Sequence, residues 1–95
     1  MISFTVRMRF DPNDLHEIRQ HLEALTTGSR QETGCVSYIA HFLADDPNTV
    51  LIYEQYVSDA ALDLHRATPH FKQHAIGGLY QCMKDRNVEN LIAIA

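Results

Sequence analysis

The sequence contains few cysteines, few basic residues and no long apolar run, and each shortage argues against a class of protein. Cys35 and Cys82 are too few for a disulfide scaffold or a cysteine-only zinc site, so we expect free thiols. Eight Lys and Arg residues against twelve Asp and Glu give a formal charge of −4 without a basic cluster, which disfavours nucleic acid as a partner. No stretch approaches the roughly 18 apolar residues of a membrane span, so no membrane partner is expected.

The first ten residues also lack the marks of a signal peptide. MISFTVRMRF alternates apolar and polar residues, whereas a signal peptide has a basic start followed by an uninterrupted apolar segment. We therefore expect a cytoplasmic protein, in agreement with free thiols. A hydrophobic content of 45% and a charged content of 21% are ordinary for a globular protein, and the length suits a single domain over residues 1–95.

Hydrophobic periodicity predicts the order strand, helix, strand, strand, helix, strand. Strict alternation marks the first strand, and apolar residues at spacings of three and four after Asp11-Pro12 mark the first helix. Ser58 is a suitable N-cap for the second helical region, which restarts at Thr68-Pro69. The strands are predicted at 2–10, 35–43, 50–57 and 87–95, the helices at 12–31 and 59–78, and turns at 44–49 and 84–87.

This order predicts an α+β, ferredoxin-like βαββαβ fold in which two helices cover one face of a four-stranded antiparallel sheet. If water covered the other face, each strand should alternate between apolar and polar residues. Residues 35–43 and 50–57 are instead apolar on both faces, with few exceptions. A second copy of the same sheet is the simplest cover for the exposed side, so we predict a homodimer.

Histidine is the most conspicuous chemical group, with three of the six histidines in the segment HRATPHFKQH, residues 65–74. His70 and His74 are four residues apart, the spacing of HxxxH zinc sites, and Glu54 could supply a third ligand. His65 lies beyond the helix restart, so a closed ligand set is lacking and we predict no metal. A histidine with an ordinary pKa near 6.5 is well suited to move a proton instead. His16, His21 and His41 are expected at the surface or in an interface.

Glu54 interrupts an apolar strand, where an unpaired carboxylate would be costly. It either orients a histidine in a pocket or pairs with Arg7 or Arg9 across the sheet. The arginines on the polar face of the first strand favour the second, structural role.

Several runs resemble the antibiotic biosynthesis monooxygenase family, quinol monooxygenase-like, of the dimeric α/β-barrel superfamily. The resemblance covers essentially the whole chain, and Tyr56 stands where many relatives have tryptophan. It implies that two sheets pack into a barrel and that each subunit has a pocket between sheet and helices. The runs are ETGCVSY at 32–38, DDPN at 45–48, IYEQY at 52–56 and ALDLHRATPHF at 61–71.

The resemblance also implies oxygenation of a quinol or polyphenol with O2 and without a cofactor. His65 and His70 flank the turn where the pockets of the family open, so we expect one to be the catalytic base and the other to bind substrate, with Glu54 as their orienting residue. Tyr38, Tyr56 and Phe71 are expected to line the pocket. The fold does not determine the reaction. An isomerase acting on a small carbonyl compound and a non-catalytic ligand-binding or dimerisation module remain alternatives.

Overall fold

The computed structural model describes residues 1–95 and contains one four-stranded sheet in the order β2-β3-β1-β4. All three neighbouring strand pairs are antiparallel, and the helices cover one face, which confirms the predicted ferredoxin-like fold. The elements are β1 (Ile2–Arg9), a 3-10 turn (Pro12–Asp14), α1 (Leu15–Arg30), β2 (Cys35–Leu43), β3 (Asp46–Tyr56), α2 (Asp59–Arg66), a π-helix (Phe71–Leu79), α3 (Tyr80–Cys82) and β4 (Asp85–Leu91).

The core forms between the alternating face of β1 and the apolar face of α1. Phe4, Val6 and Met8 are buried on β1, and Ile18, Leu22 and Leu25 are buried on α1. Burial of one such side chain contributes about 1.5–3 kcal/mol, so this layer supplies much of the stabilisation. No helix of the fold has the length and apolar character needed to cross a bilayer.

The turn between β2 and β3 is shorter than the predicted range 44–49. It comprises Ala44 and Asp45 alone, and β3 begins at Asp46. Pro47 fits in this strand because β1 pairs with β3 only as far as Thr49, so the missing N–H of the proline interrupts no ladder with β1. The side chain of Asp46 accepts a hydrogen bond from the hydroxyl of Thr49 at 2.5 Å, which stabilises the strand start.

Three further predicted boundaries are wrong. The second helical region continues past Gly77-Gly78 through Leu79, which is buried, and into α3. The last strand begins at Asp85 rather than after a turn at 84–87, because Asp85 pairs with Arg9 of β1 at 3.0 Å. Residues 92–95 are not part of β4, and Ile92 is 94% exposed.

The face of the sheet that points away from the helices has an apolar half and a charged half. Ile39, Leu51 and Tyr53 lie on the β2–β3 half, and Ile39 is 42% exposed. The β1–β4 half has the ion pairs Arg7–Glu89 and Arg9–Asp85. The exposed apolar half is the surface that the predicted second copy would cover, and the homodimer stays a prediction.

Gly34 lets α2 approach the connection between α1 and β2. A Cβ at this position would overlap the Cβ of Ala61 on α2. We expect Gly34→Ala to lower the free energy of unfolding by about 1–3 kcal/mol, measured by urea denaturation, because the helix must move outward. The Ala61→Gly substitution should recover part of this loss in the double variant. Equal urea midpoints for Gly34→Ala and the unmodified protein would contradict the close packing.

Candidate functional site

His65 is held against the sheet by the way α2 begins and ends. Ser58 caps the helix by accepting a hydrogen bond from the N–H of Ala61 at 3.2 Å. The buried face of α2 consists of Ala61, Leu62 and His65, and His65 is 2% exposed. The hydroxyl of Thr68 donates to the carbonyl of His65 at 2.7 Å and so closes the end of the helix. A histidine is therefore buried where the helix turns away from the sheet.

Glu54 projects from the face of β3 that packs against the helices. The hydroxyl of Tyr56 donates a hydrogen bond of 2.7 Å to Oε1 of Glu54, and Nε2 of His65 lies 3.6 Å from the same oxygen. Arg7 and Arg9 are on the opposite face, where they pair with carboxylates of β4. The favoured structural role of Glu54, pairing with these arginines, is therefore wrong. Its alternative, contact with a buried histidine, is what the structure has.

Glu32, which lies between α1 and β2, joins the two histidines. Its Oε2 is 2.9 Å from Nδ1 of His65 and 2.6 Å from Nε2 of His70. A carboxylate that accepts from Nδ1 leaves Nε2 of His65 free to face Glu54. The sequence analysis missed this residue, although Glu32 begins the first of the runs that carried the family resemblance.

Gly28 explains how His70 reaches Glu32. A Cβ at Gly28 would lie 2.6 Å from the imidazole Cγ of His70, so only glycine leaves space for the ring against α1. The His70 side chain remains 22% exposed. His70 therefore contacts Glu32 from the solvent side, whereas His65 contacts Glu32 from the buried side.

A small, partly enclosed cavity of about 40 Å³ lies between the sheet and the helices. Of the predicted site residues, Glu54, His65, Tyr38 and Phe71 line it, whereas Tyr56 and His70 lie behind the lining. The Phe71 ring stands edge-on to His65 with centroids 5.2 Å apart, and the Tyr56 ring is tilted at 5.0 Å. Three further polar side chains that no local sequence pattern indicates also line the cavity, and these are Arg66, Tyr80 and Arg86.

An open groove of about 440 Å³ adjoins the cavity and shares four wall residues with it. These are Phe4, Leu62, Arg66 and Arg86. The rest of the groove is largely apolar, with contributions from the N-terminus, β4 and Ile92. A separate depression of about 420 Å³ between α1 and β2 contains none of the predicted site residues. The groove is therefore the opening through which a small molecule could reach Glu54 and His65.

Burial moves the pKa values of the two inner groups toward each other. It raises the pKa of Glu54 to about 7, although the hydrogen bond from Tyr56 opposes this shift. Burial lowers the pKa of His65 below its ordinary 6.5, and the hydrogen bond to Glu32 opposes the change only in part. At neutral pH the pair therefore consists of a neutral imidazole and a carboxyl group that stays partly protonated.

The histidine clusters differ from the set of His70, His74 and Glu54 that was considered and set aside as a metal site. His74 turns away from Glu54, and its Nδ1 is 2.9 Å from Nδ1 of His21. His21 is consequently half-buried rather than a surface residue, whereas His16 and His41 are exposed as expected. The three groups with converging ligand atoms are Glu32, His65 and His70, within 4.8 Å of one another. Glu32 accepts a hydrogen bond from a ring nitrogen of each histidine, so these atoms already have partners.

Comparisons with known proteins agree with the fold and the motif runs. The family described as antibiotic biosynthesis monooxygenase matches residues 1–75. Over 60 residues the chain is 42% identical to Rv0793 of Mycobacterium tuberculosis, covering 63% of this chain and 58% of that protein. The solved structure of Rv0793 is similar with a TM-score of 0.88 and 27% identity, covering 99% of this chain and 95% of that one. The structure of PA3566 from Pseudomonas aeruginosa is similar with a TM-score of 0.89 and 26% identity, covering 99% of this chain and 94% of that one. This chain belongs to the antibiotic biosynthesis monooxygenase family.

Proposed function

We propose that this protein is a cofactor-independent monooxygenase that oxidises a quinol or polyphenolic small molecule with O2. It acts as a cytoplasmic homodimer. Residues 1–95 form one domain, because the last strand, β4, pairs with β1 along seven residues of each strand. The observation that carries the proposal is the pair formed by Glu54 and His65 in the wall of a partly enclosed, largely apolar cavity. Such a site combines a base with exclusion of water.

The Glu54–His65 pair is the base of the proposed reaction. Glu32 holds the proton of His65 on Nδ1, so the lone pair of Nε2 is available on the cavity side. Burial raises the pKa of the Glu54 carboxyl to about 7, so this group can exchange a proton with a substrate bound on the same side. His70 supports Glu32 from outside and does not face the cavity. Tyr38 and Phe71 form flat walls against which an aromatic ring can pack.

Oxidation then requires only the substrate, the base and O2. Loss of a phenolic proton to the base gives an electron-rich anion, which transfers one electron to O2 to form a substrate radical and superoxide. The two radicals combine at a ring carbon, and the peroxide takes the proton back from the base. Loss of water leaves a carbonyl, so that a quinol plus O2 gives a hydroxyquinone plus water. The apolar walls favour this sequence because they keep bulk water from the radical pair.

The inner cavity is smaller than the proposed substrate. A volume of about 40 Å³ is of the order of one or two water molecules, far below that of an aromatic ring. The adjoining groove of about 440 Å³ is large enough for one. We therefore propose that the ring enters from the groove and that Arg66, Tyr80 and Arg86 move aside to admit it.

Oxygen consumption tests this function. Purified protein treated with a chelator should consume O2 with at least one member of a panel of hydroquinones and anthrones, and mass spectrometry should find one atom of 18O from 18O2 in the product. Rates equal to those of heat-denatured protein across the panel would contradict the proposal, as would activity restored only by added metal. Deuterium incorporation from D2O into a hydroxyketone without O2 consumption would favour the isomerase.

A further inference from the structure

Two arginines stand where the groove meets the cavity. Arg66 is the last residue of α2, and Arg86 belongs to β4. Both line the inner cavity and the outer groove, together with the apolar side chains of Phe4 and Leu62. Any molecule that passes from the groove toward Glu54 therefore comes close to two positive charges.

Neither of these arginines has an acidic partner. Every ion pair in the structure that involves an arginine uses Arg7 or Arg9, and no carboxylate oxygen lies within 4.0 Å of Arg66 or Arg86. The guanidinium of Arg86 instead lies 5.5 Å from the ring centroid of Tyr80, which holds it at the cavity wall.

The charge of both arginines acts on the inner site. Arg66 and Arg86 oppose the rise in the pKa of Glu54 that burial causes, so their electric field reaches the buried carboxyl. An anion bound between them would be attracted in the same way. Guanidinium groups bind carboxylates with directed, charge-assisted hydrogen bonds, and apolar groove walls accept the hydrophobic part of such a ligand.

We infer that the substrate is an aromatic carboxylic acid, whose carboxylate binds Arg66 and Arg86 while its hydroxylated ring points toward Glu54 and His65. The inference rests on the proposed function for the hydroxylated ring, and on the two arginines for the carboxylate.

Matched ligands test the inference by binding rather than by turnover. Under argon, calorimetry should show that 2,5-dihydroxybenzoate binds at least about tenfold more tightly than hydroquinone, because only the former has the carboxylate. Arg66→Gln and Arg86→Gln should each remove most of this advantage and change hydroquinone affinity by less than about twofold. Arg7→Gln, on the opposite face of the sheet, is the matched control and should leave both affinities unchanged. Raising the salt concentration should weaken only the benzoate.

Three outcomes would overturn the inference. These are equal affinity for the two ligands, no benzoate binding at millimolar concentration, and arginine variants that weaken both ligands equally while retaining the circular dichroism spectrum of the native protein. Because the measurement excludes O2, it is independent of the oxygenase reaction. A preserved carboxylate preference without O2 consumption would refute the proposed function and leave the carboxylate site standing. O2 consumption without the carboxylate preference would refute the carboxylate site and leave the proposed function standing.

Discussion

His65→Gln should lower kcat for an oxidised quinol by about 10²–10⁴-fold, because glutamine cannot accept the phenolic proton. Nε2 of His65 is the ring nitrogen that faces Glu54 at the cavity, while Nδ1 is bound to Glu32. Glutamine can replace the hydrogen bond to Glu32 without replacing the base. The loss should therefore appear in kcat more than in KM.

His70→Gln is the matched control for this substitution. His70 shares the contact with Glu32 but does not line the cavity, so we expect its loss to reduce kcat by less than about tenfold. Steady-state O2 consumption at several substrate concentrations measures both variants, and thermal unfolding checks that each is folded. Equal activity losses in the two folded variants would mean that His65 is not the base. A larger loss in His70→Gln would assign the base to His70.

The sequence predicts the fold well because alternation in β1 and the apolar spacing in α1 are both strong local signals. It could not decide which face of β3 carries Glu54. Apolar residues occupy both the odd and the even positions of that strand, so its two faces look alike in the sequence. Only the pairing of Phe4 with Glu54 determines that the carboxyl faces the helices. The predicted partners, Arg7 and Arg9, are one residue out of phase with that face.

Glu32 could not be found from local patterns for a different reason. It is 33 residues from His65 and 38 residues from His70 in sequence, and only the packing of the helices against the α1–β2 connection brings the three together. Gly28 lies inside α1, where glycine is usually unfavourable, yet it provides the space for the His70 ring. Single residues whose role depends on tertiary packing are therefore where local sequence patterns are least informative.

Glu54→Gln should stabilise the protein by about 3 kcal/mol at pH 8 and should change its stability little at pH 4. The pKa of Glu54 rises from an ordinary 4.5 to about 7 on folding, mainly because its side chain is buried, and this difference corresponds to about 3 kcal/mol. Below about pH 4.5 the group is neutral in both states and costs nothing. As the pH rises toward 7 the unfolded chain ionises first, so native stability is lost through this window and then becomes constant.

The neighbouring His65 changes the stability with pH in the opposite direction. Comparing the native protein with Glu54→Gln at each pH removes this contribution, because both proteins contain His65. Its pKa is lowered by burial, so the unfolded chain binds the proton more readily and native stability increases as the pH rises through the region below 6.5. Urea unfolding of the native protein and of Glu54→Gln at half-unit intervals from pH 4 to pH 8.5 should give a difference that grows between pH 4.5 and 7. Glu89→Gln is the exposed control, with a side chain 58% accessible, and its effect should stay below about 0.5 kcal/mol. A difference independent of pH would mean that Glu54 ionises normally, and the base would then be His65 alone.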